Sequence, residues 1–147
     1  MTDTDTKRDR RRALLAAHYA AENANDLERI MKTFSARAAM HYNRQEFADP
    51  DSIRQAHAYI GFSAAHGAFS ELQTYADHEH LTADEIVVEG RLCGRHVGEF
   101  QGFAPTGRTV ELPFVAFYRF DAAGELVSER VVMNLGPLAT APSWQPT

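Results

Sequence analysis

GRLCGRHVGEFQGFAPTGRTVELPFVAFYRFDAAGELVSERVVMNLGPL, residues Gly90 to Leu138, sets the architecture of this chain. Its side chains repeat with a period of two, the signature of half-buried strands. Read back to Asp84, the first strand runs to Phe100. Its even positions are Ile86, Val88, Gly90, Leu92, Gly94, His96, Gly98 and Phe100. Its odd positions include Glu85, Glu89, Arg91, Arg95 and Glu99. One face is thus apolar or glycine and the other charged, as in a sheet covered on one side. Pro105-Thr106-Gly107 marks a turn. A second strand follows from Arg108 to Asp121, in which Pro113 implies a bulge or a missing ladder bond. Ala122-Ala123-Gly124 turns the chain into a last strand, Glu125 to Leu135, stopped by Gly136-Pro137.

Upstream, Glu71 to Leu81 reads as a further strand. Before it the period is helical. Lys7 to Asn23 has no Gly or Pro, and Leu14, Leu15, His18, Tyr19 and Glu22 share a stripe. Asn25 followed by Glu28 resembles a capping box for a second helix ending near Ser35, with Leu27, Ile30, Met31 and Phe34 on one side. Ala39 to Phe47 reads as one strand. Asp49-Pro50 starts a third helix, with Ile53, Ala56, His57 and Ile60 on its stripe and an end near His66. Residues 1–6 and the tail from Ala139 to Thr147 are expected to be loose. Helices first and antiparallel strands afterwards predict an α+β domain. A sheet this long curls, and three N-terminal helices closing one side leave a conical space suited to a small molecule.

The 147 residues are one domain's worth, here with a core over about 10–138. A net charge of −5 argues against a duplex nucleic-acid partner, so the basic run Lys7 to Arg12 reads as a solvated helix turn. The single cysteine, Cys93, leaves no internal disulfide and no cysteine zinc site. No apolar run is long enough for a membrane helix, and the alanine-rich segment after Arg12 is a poor secretory core, so a cytoplasmic location is expected.

The order of elements, together with Arg95-His96-Val97-Gly98-Glu99-Phe100-Gln101-Gly102, Pro105-Thr106-Gly107-Arg108 and Leu126-Val127-Ser128-Glu129-Arg130, resembles the nuclear-transport-factor-2-like superfamily. Within it, the chain is most similar to SnoaL-like polyketide cyclases and ester-cyclase-type proteins. The likeness spans Leu14 to Leu138. It implies a cystatin-like α+β roll: a cone-shaped, curved, mixed or antiparallel sheet closed by about three helices. It also implies cofactor-free proton-transfer chemistry, namely cyclisation, isomerisation or dehydration beside a carbonyl. The superfamily hosts binding modules too, so fold alone does not fix the reaction.

Candidate site residues follow from strand parity. His96, on the apolar face, titrates near working pH and would act as acid/base or oxyanion donor. The relatives' last strand ends in an aspartate, where this chain has Asn134, an amide that hydrogen-bonds but takes no proton. Parity puts Arg130 and Val132 on the face of Asn134, with Arg130 as a cation for an enolate or carboxylate. His80 is a replacement base. Tyr42, Leu92, Phe100, Phe114, Tyr118 and Val132 would contact a small, apolar, oxygen-bearing ligand. His78, His80, His96 and His41 lack a carboxylate ligand at a recognisable spacing, so neither metal nor other cofactor is expected. Val115 and Phe117, on the odd face, suggest a homodimer through the sheet. The alternative is a non-catalytic ligand-binding or protein-interaction module, which Asn134 favours.

Overall fold

The computed structural model describes residues 2–65 and 67–139. Helix α1 is Asp3–Asn23 and α2 is Leu27–Lys32. Strands β1 (Phe34–Tyr42) and β2 (Gln45–Phe47) precede helix α3 (Pro50–Ile60). Strands β3 (Phe69–Leu81), β4 (Glu85–His96), β5 (Thr109–Phe120) and β6 (Leu126–Met133) complete one six-stranded sheet in the order β2-β1-β6-β5-β4-β3. Pairing is antiparallel except between β1 and β6, so the curved sheet is mixed. The fold is the α+β roll that the sequence implies.

Alternation along β4 and β5 does most of the positioning. Ile86, Val88 and Leu92 face Tyr118, Ala116 and Leu112 across the ladder, and all six are buried beneath the helices. Burying a side chain such as Leu112 is worth about 1.5–3 kcal/mol, so this inner face supplies much of the core. The odd residues face outward, as their charge requires.

Several boundaries differ from the sequence expectation. The N-terminus is ordered into α1 from Asp3, because Thr2 and Asp5 form a reciprocal capping box. The cap of α2 is Asp26, which accepts the Arg29 N–H at 3.1 Å, and Asn25 instead takes the left-handed turn before it at φ 53°. The expected strand to Phe47 is a hairpin, because Asn43 at φ 53° opens a two-residue turn between Tyr42 and Gln45. Helix α3 starts as expected at Asp49-Pro50 but stops at Ile60, with Gly61 at φ 133°. The expected end at His66, and the tail beyond Ala139, lie outside the described residues. Strand β4 ends at His96 rather than Phe100, so Gly98 sits in the following loop.

One irregularity governs the site. In the β5–β6 ladder Phe120 faces Leu126 and Arg119 faces Ser128, which leaves Val127 without an opposite number. This β-bulge shifts the alternation by one residue. Leu126 points inward before it, and Glu129, Val131 and Met133 point inward after it.

Candidate active site

Beneath the helices, two carboxyl and two imidazole groups converge in a buried cluster. Helix α1 contributes His18 and Glu22, four residues apart and therefore on one face. Helix α3 contributes His57 and strand β6 contributes Glu129, which sits directly opposite Tyr118 of β5 and beside Met40 of β1. All four titratable side chains are at most 5% exposed. His18 Nε2 lies 3.6 Å from Glu22 Oε1 and 3.9 Å from Glu129 Oε1. The His18 and His57 ring centroids are 6.0 Å apart.

Hydrogen bonds fix how the imidazoles present themselves. The Ile53 carbonyl, 2.8 Å from His57 Nδ1, can only accept, so His57 carries its proton there. Thr33 donates its hydroxyl to the Ile30 carbonyl at 2.6 Å, so its oxygen accepts the Nδ1–H of His18 at 2.7 Å. Both neutral rings therefore keep a lone pair on Nε2, and that of His18 is directed at the two carboxyls. Tyr118 and Tyr19 join hydroxyls at 2.7 Å above Glu129.

Burial sets the protonation. It pulls His18 down to about 3, helped by His57, and His57 down to about 4, partly offset by the Ile53 carbonyl bond. It pushes Glu22 and Glu129 well up, Glu22 further because Glu129 is beside it, while a hydrogen bond from Tyr118 restrains Glu129. At neutral pH the cluster consists of protonated carboxyls and neutral imidazoles. It can give a proton to an oxygen and take one from carbon without a net charge being buried.

A cavity of about 20 Å³ opens beside the cluster. Tyr42, Leu92, Phe114 and Tyr118, four of the expected contact residues, line it together with Glu22, His57 and Glu129. The other expected residues lie elsewhere. His96 is buried on the inner face but at the far end of β4, stacked on Phe69 at 5.3 Å, with Nδ1 accepting the Thr106 N–H at 3.2 Å. Phe100 packs edge-on against Phe69 and Tyr42, outside the cavity wall. Asn134, Arg130 and Val132 share one face as parity predicts, but it is the outer one: after the bulge at Val127 the inward residues are Glu129, Val131 and Met133, so the site position drawn from the family likeness is not met. Asn134 closes a turn by accepting the Gly136 N–H at 2.9 Å. The Arg130 guanidinium lies 4.9 Å from the Phe117 ring centroid. His80 is exposed on the β3–β4 hairpin, 2.8 Å from Glu89, far along the sheet from the cluster. His96 and Asn134 therefore share no space.

Sequence reasoning missed Glu129, Glu22, His18 and His57 as site residues. Three of them left a signal: His18 and Glu22 stand on the stripe of Leu15 and Tyr19, and His57 on that of Ile53 and Ile60. A titratable residue within an apolar stripe is buried, and a buried one needs a partner or a purpose.

Structural comparison places this fold among known proteins. AclR, a candidate hydroxylase from Streptomyces galilaeus, is 28% identical, with a TM-score of 0.70 over 87% of this chain and 81% of that one. A candidate SnoaL-like polyketide cyclase from Jannaschia sp. CCS1 is 16% identical, with a TM-score of 0.76 over 97% and 98%. IdmH, a candidate polyketide cyclase from Streptomyces antibioticus, is 19% identical, with a TM-score of 0.70 over 87% and 94%. A search of curated proteins gave no match. The model of the SnoaL-like polyketide cyclases matches residues 12–141, a span that includes the C-terminal half of α1, the bulged last strand and every member of the buried cluster, and the chain belongs to that family.

Proposed function

We propose that this chain is a small-molecule-pocket protein that transfers protons, without a cofactor, on an apolar substrate bearing a carbonyl. The reaction would be cyclisation, isomerisation or dehydration next to that carbonyl. The observation that carries this reading is the pair of buried carboxyls, Glu22 and Glu129, facing one imidazole nitrogen at 3.6 and 3.9 Å. Glu129 is the acid–base group: its carboxyl is held protonated, as a hydrogen-bond donor to a developing oxyanion must be. The Nε2 lone pair of His18 relays the proton, and Tyr42 and Tyr118 supply the polar edge of an otherwise apolar wall. The polyketide cyclase description of the matching family is in keeping with this reading.

The test is solvent exchange. In D₂O, the protein is expected to speed deuterium incorporation at the carbon next to the carbonyl of an aromatic β-keto ester, read by NMR. A second reading has its own support. About 20 Å³ is room for roughly one water, which favours a non-catalytic binding or interaction module with a filled interior. That module would show no exchange with any ketone, while the enzyme reading requires the cavity to widen around its substrate. Met40 and Met133 in its wall have the flexibility to allow this.

The same proposal includes a homodimer through the outer face of the sheet, and a cytoplasmic setting consistent with one free, half-buried thiol. Among the described helices, none is long and apolar enough to cross a membrane. Val132 is 61% exposed beside half-buried Val115 and Phe117, an apolar strip on an otherwise charged surface. Val132→Arg is expected to convert a dimer into monomers in sedimentation experiments without lowering thermal stability. A wild-type chain that sediments as a monomer would end the dimer assignment.

A further inference from the structure

Two carboxyls buried beside each other either stay protonated or share a positive partner. The cluster has the parts to hold such a partner. His18, Glu22 and His57 each offer one donor atom, and the three atoms lie within 4.8 Å of one another. Glu129 Oε1, 3.9 Å from His18 Nε2, is a fourth. Among the described residues, His18 Nε2 and Glu129 Oε2 are buried polar atoms with no hydrogen-bond partner, and His18 is 0% exposed. The outer supports are also in place. Thr33 and the Ile53 carbonyl hold the Nδ1–H of the two histidines, which is how ligating imidazoles are fixed with Nε2 free for a metal.

We infer that His18, Glu22, His57 and Glu129 form a binding site for one divalent first-row transition ion of the zinc type. Two imidazoles with two carboxylates suit zinc, cobalt, iron or manganese, whereas magnesium and calcium call for oxygen ligands throughout. Ligand bonds of about 2.0–2.1 Å place tetrahedral donors about 3.3 Å apart, so the four side chains close inward around the ion. Each carboxyl that becomes a ligand releases its proton to solvent, and a dication with two carboxylates leaves the interior neutral.

The site uses the cluster on which the proton-transfer reading rests, but it does not depend on turnover. The experiment titrates Co²⁺ and then Zn²⁺ into the chelator-stripped full-length chain. One ion per chain is expected, with a rise in melting temperature and with Co²⁺ broadening the ring NMR signals of His18 and His57 in the wild-type protein. His57→Gln is expected to weaken binding about tenfold or more, while His80→Ala, at the exposed pair with Glu89, leaves it unchanged. Absence of binding overturns the inference. So does binding that broadens His80 or His41 instead, even where His57→Gln fails to fold. A stripped protein that exchanges ketone protons but takes up no ion sinks this inference alone. A chain that takes up the ion but, when stripped of it, never exchanges sinks only the proposed reaction.

Discussion

Glu129→Gln is expected to slow substrate proton exchange by about 10²–10⁴-fold, the usual share of a general acid–base group, and at the same time to make the fold more stable above pH 7. Gln has the size and hydrogen-bonding shape of a protonated Glu, so the bond from Tyr118 and the approach to His18 survive. What disappears is the proton. Burial raises the Glu129 carboxyl above its unfolded value, so the stability it contributes is complete at low pH and is lost as pH rises through the raised value. Where the unfolded carboxyl is ionised and the folded one is not, each pH unit costs about 1.4 kcal/mol per group. The Gln variant no longer has that slope. The histidines act in the opposite direction. Their values are lowered by burial, so their contribution is complete above the ordinary imidazole range and falls away toward about 4 for His57 and about 3 for His18. Urea denaturation from pH 4 to pH 9 should therefore give a wild-type optimum in mildly acidic solution and a variant whose alkaline limb is flatter. An unchanged alkaline limb would show that Glu129 is ionised in the native protein, contrary to the proposed mechanism.

The largest effect on stability is expected at Gly61. Its φ of 133° is closed to L side chains, and a Cβ there would stand 2.3 Å from the carbonyl oxygen of Phe69, a backbone atom that cannot swing aside. Strain in such a region costs about 1–3 kcal/mol by itself, and the clash adds to it, so Gly61→Ala should lower stability by about 3 kcal/mol or more. Gly124→Ala is the control. Gly124 is also left-handed, at φ 86°, but no atom lies within 4 Å of where an alanine methyl would stand, so only the conformational cost applies, about 1–2 kcal/mol. Equal losses at the two positions, measured by chemical denaturation, would mean that contact with Phe69 plays no part.

The same residues show what could be read from the chain alone. The alternation of Ile86, Val88 and Leu92 against charged neighbours is a local pattern, and it gave the orientation of β4 and β5 correctly. The Asp49-Pro50 start is equally local. Gly61 falls inside the helix expected to run to His66, because its role as a stop depends on Phe69, which arrives from β3. The convergence of His18, Glu22, His57 and Glu129 depends on α1, α3 and β6 meeting in space. No spacing between residues 22 and 129 records that. Asn134 was misplaced for a different reason: its site position came from the likeness to the relatives' last strand, and nothing in Leu126-Val127-Ser128 marks the bulge after which Glu129 rather than its neighbours turns inward.

That surplus residue has a bearing on how the family's chains are compared with one another. Loss of Val127 would leave Glu129 opposite Tyr118, since the ladder on either side already matches without it. A deletion between Glu129 and Met133, by contrast, would turn the interior wall outward. Length differences among homologues should thus gather at the head of this strand and avoid its second half, and an alignment without a gap there will superpose solvent-facing positions on interior ones.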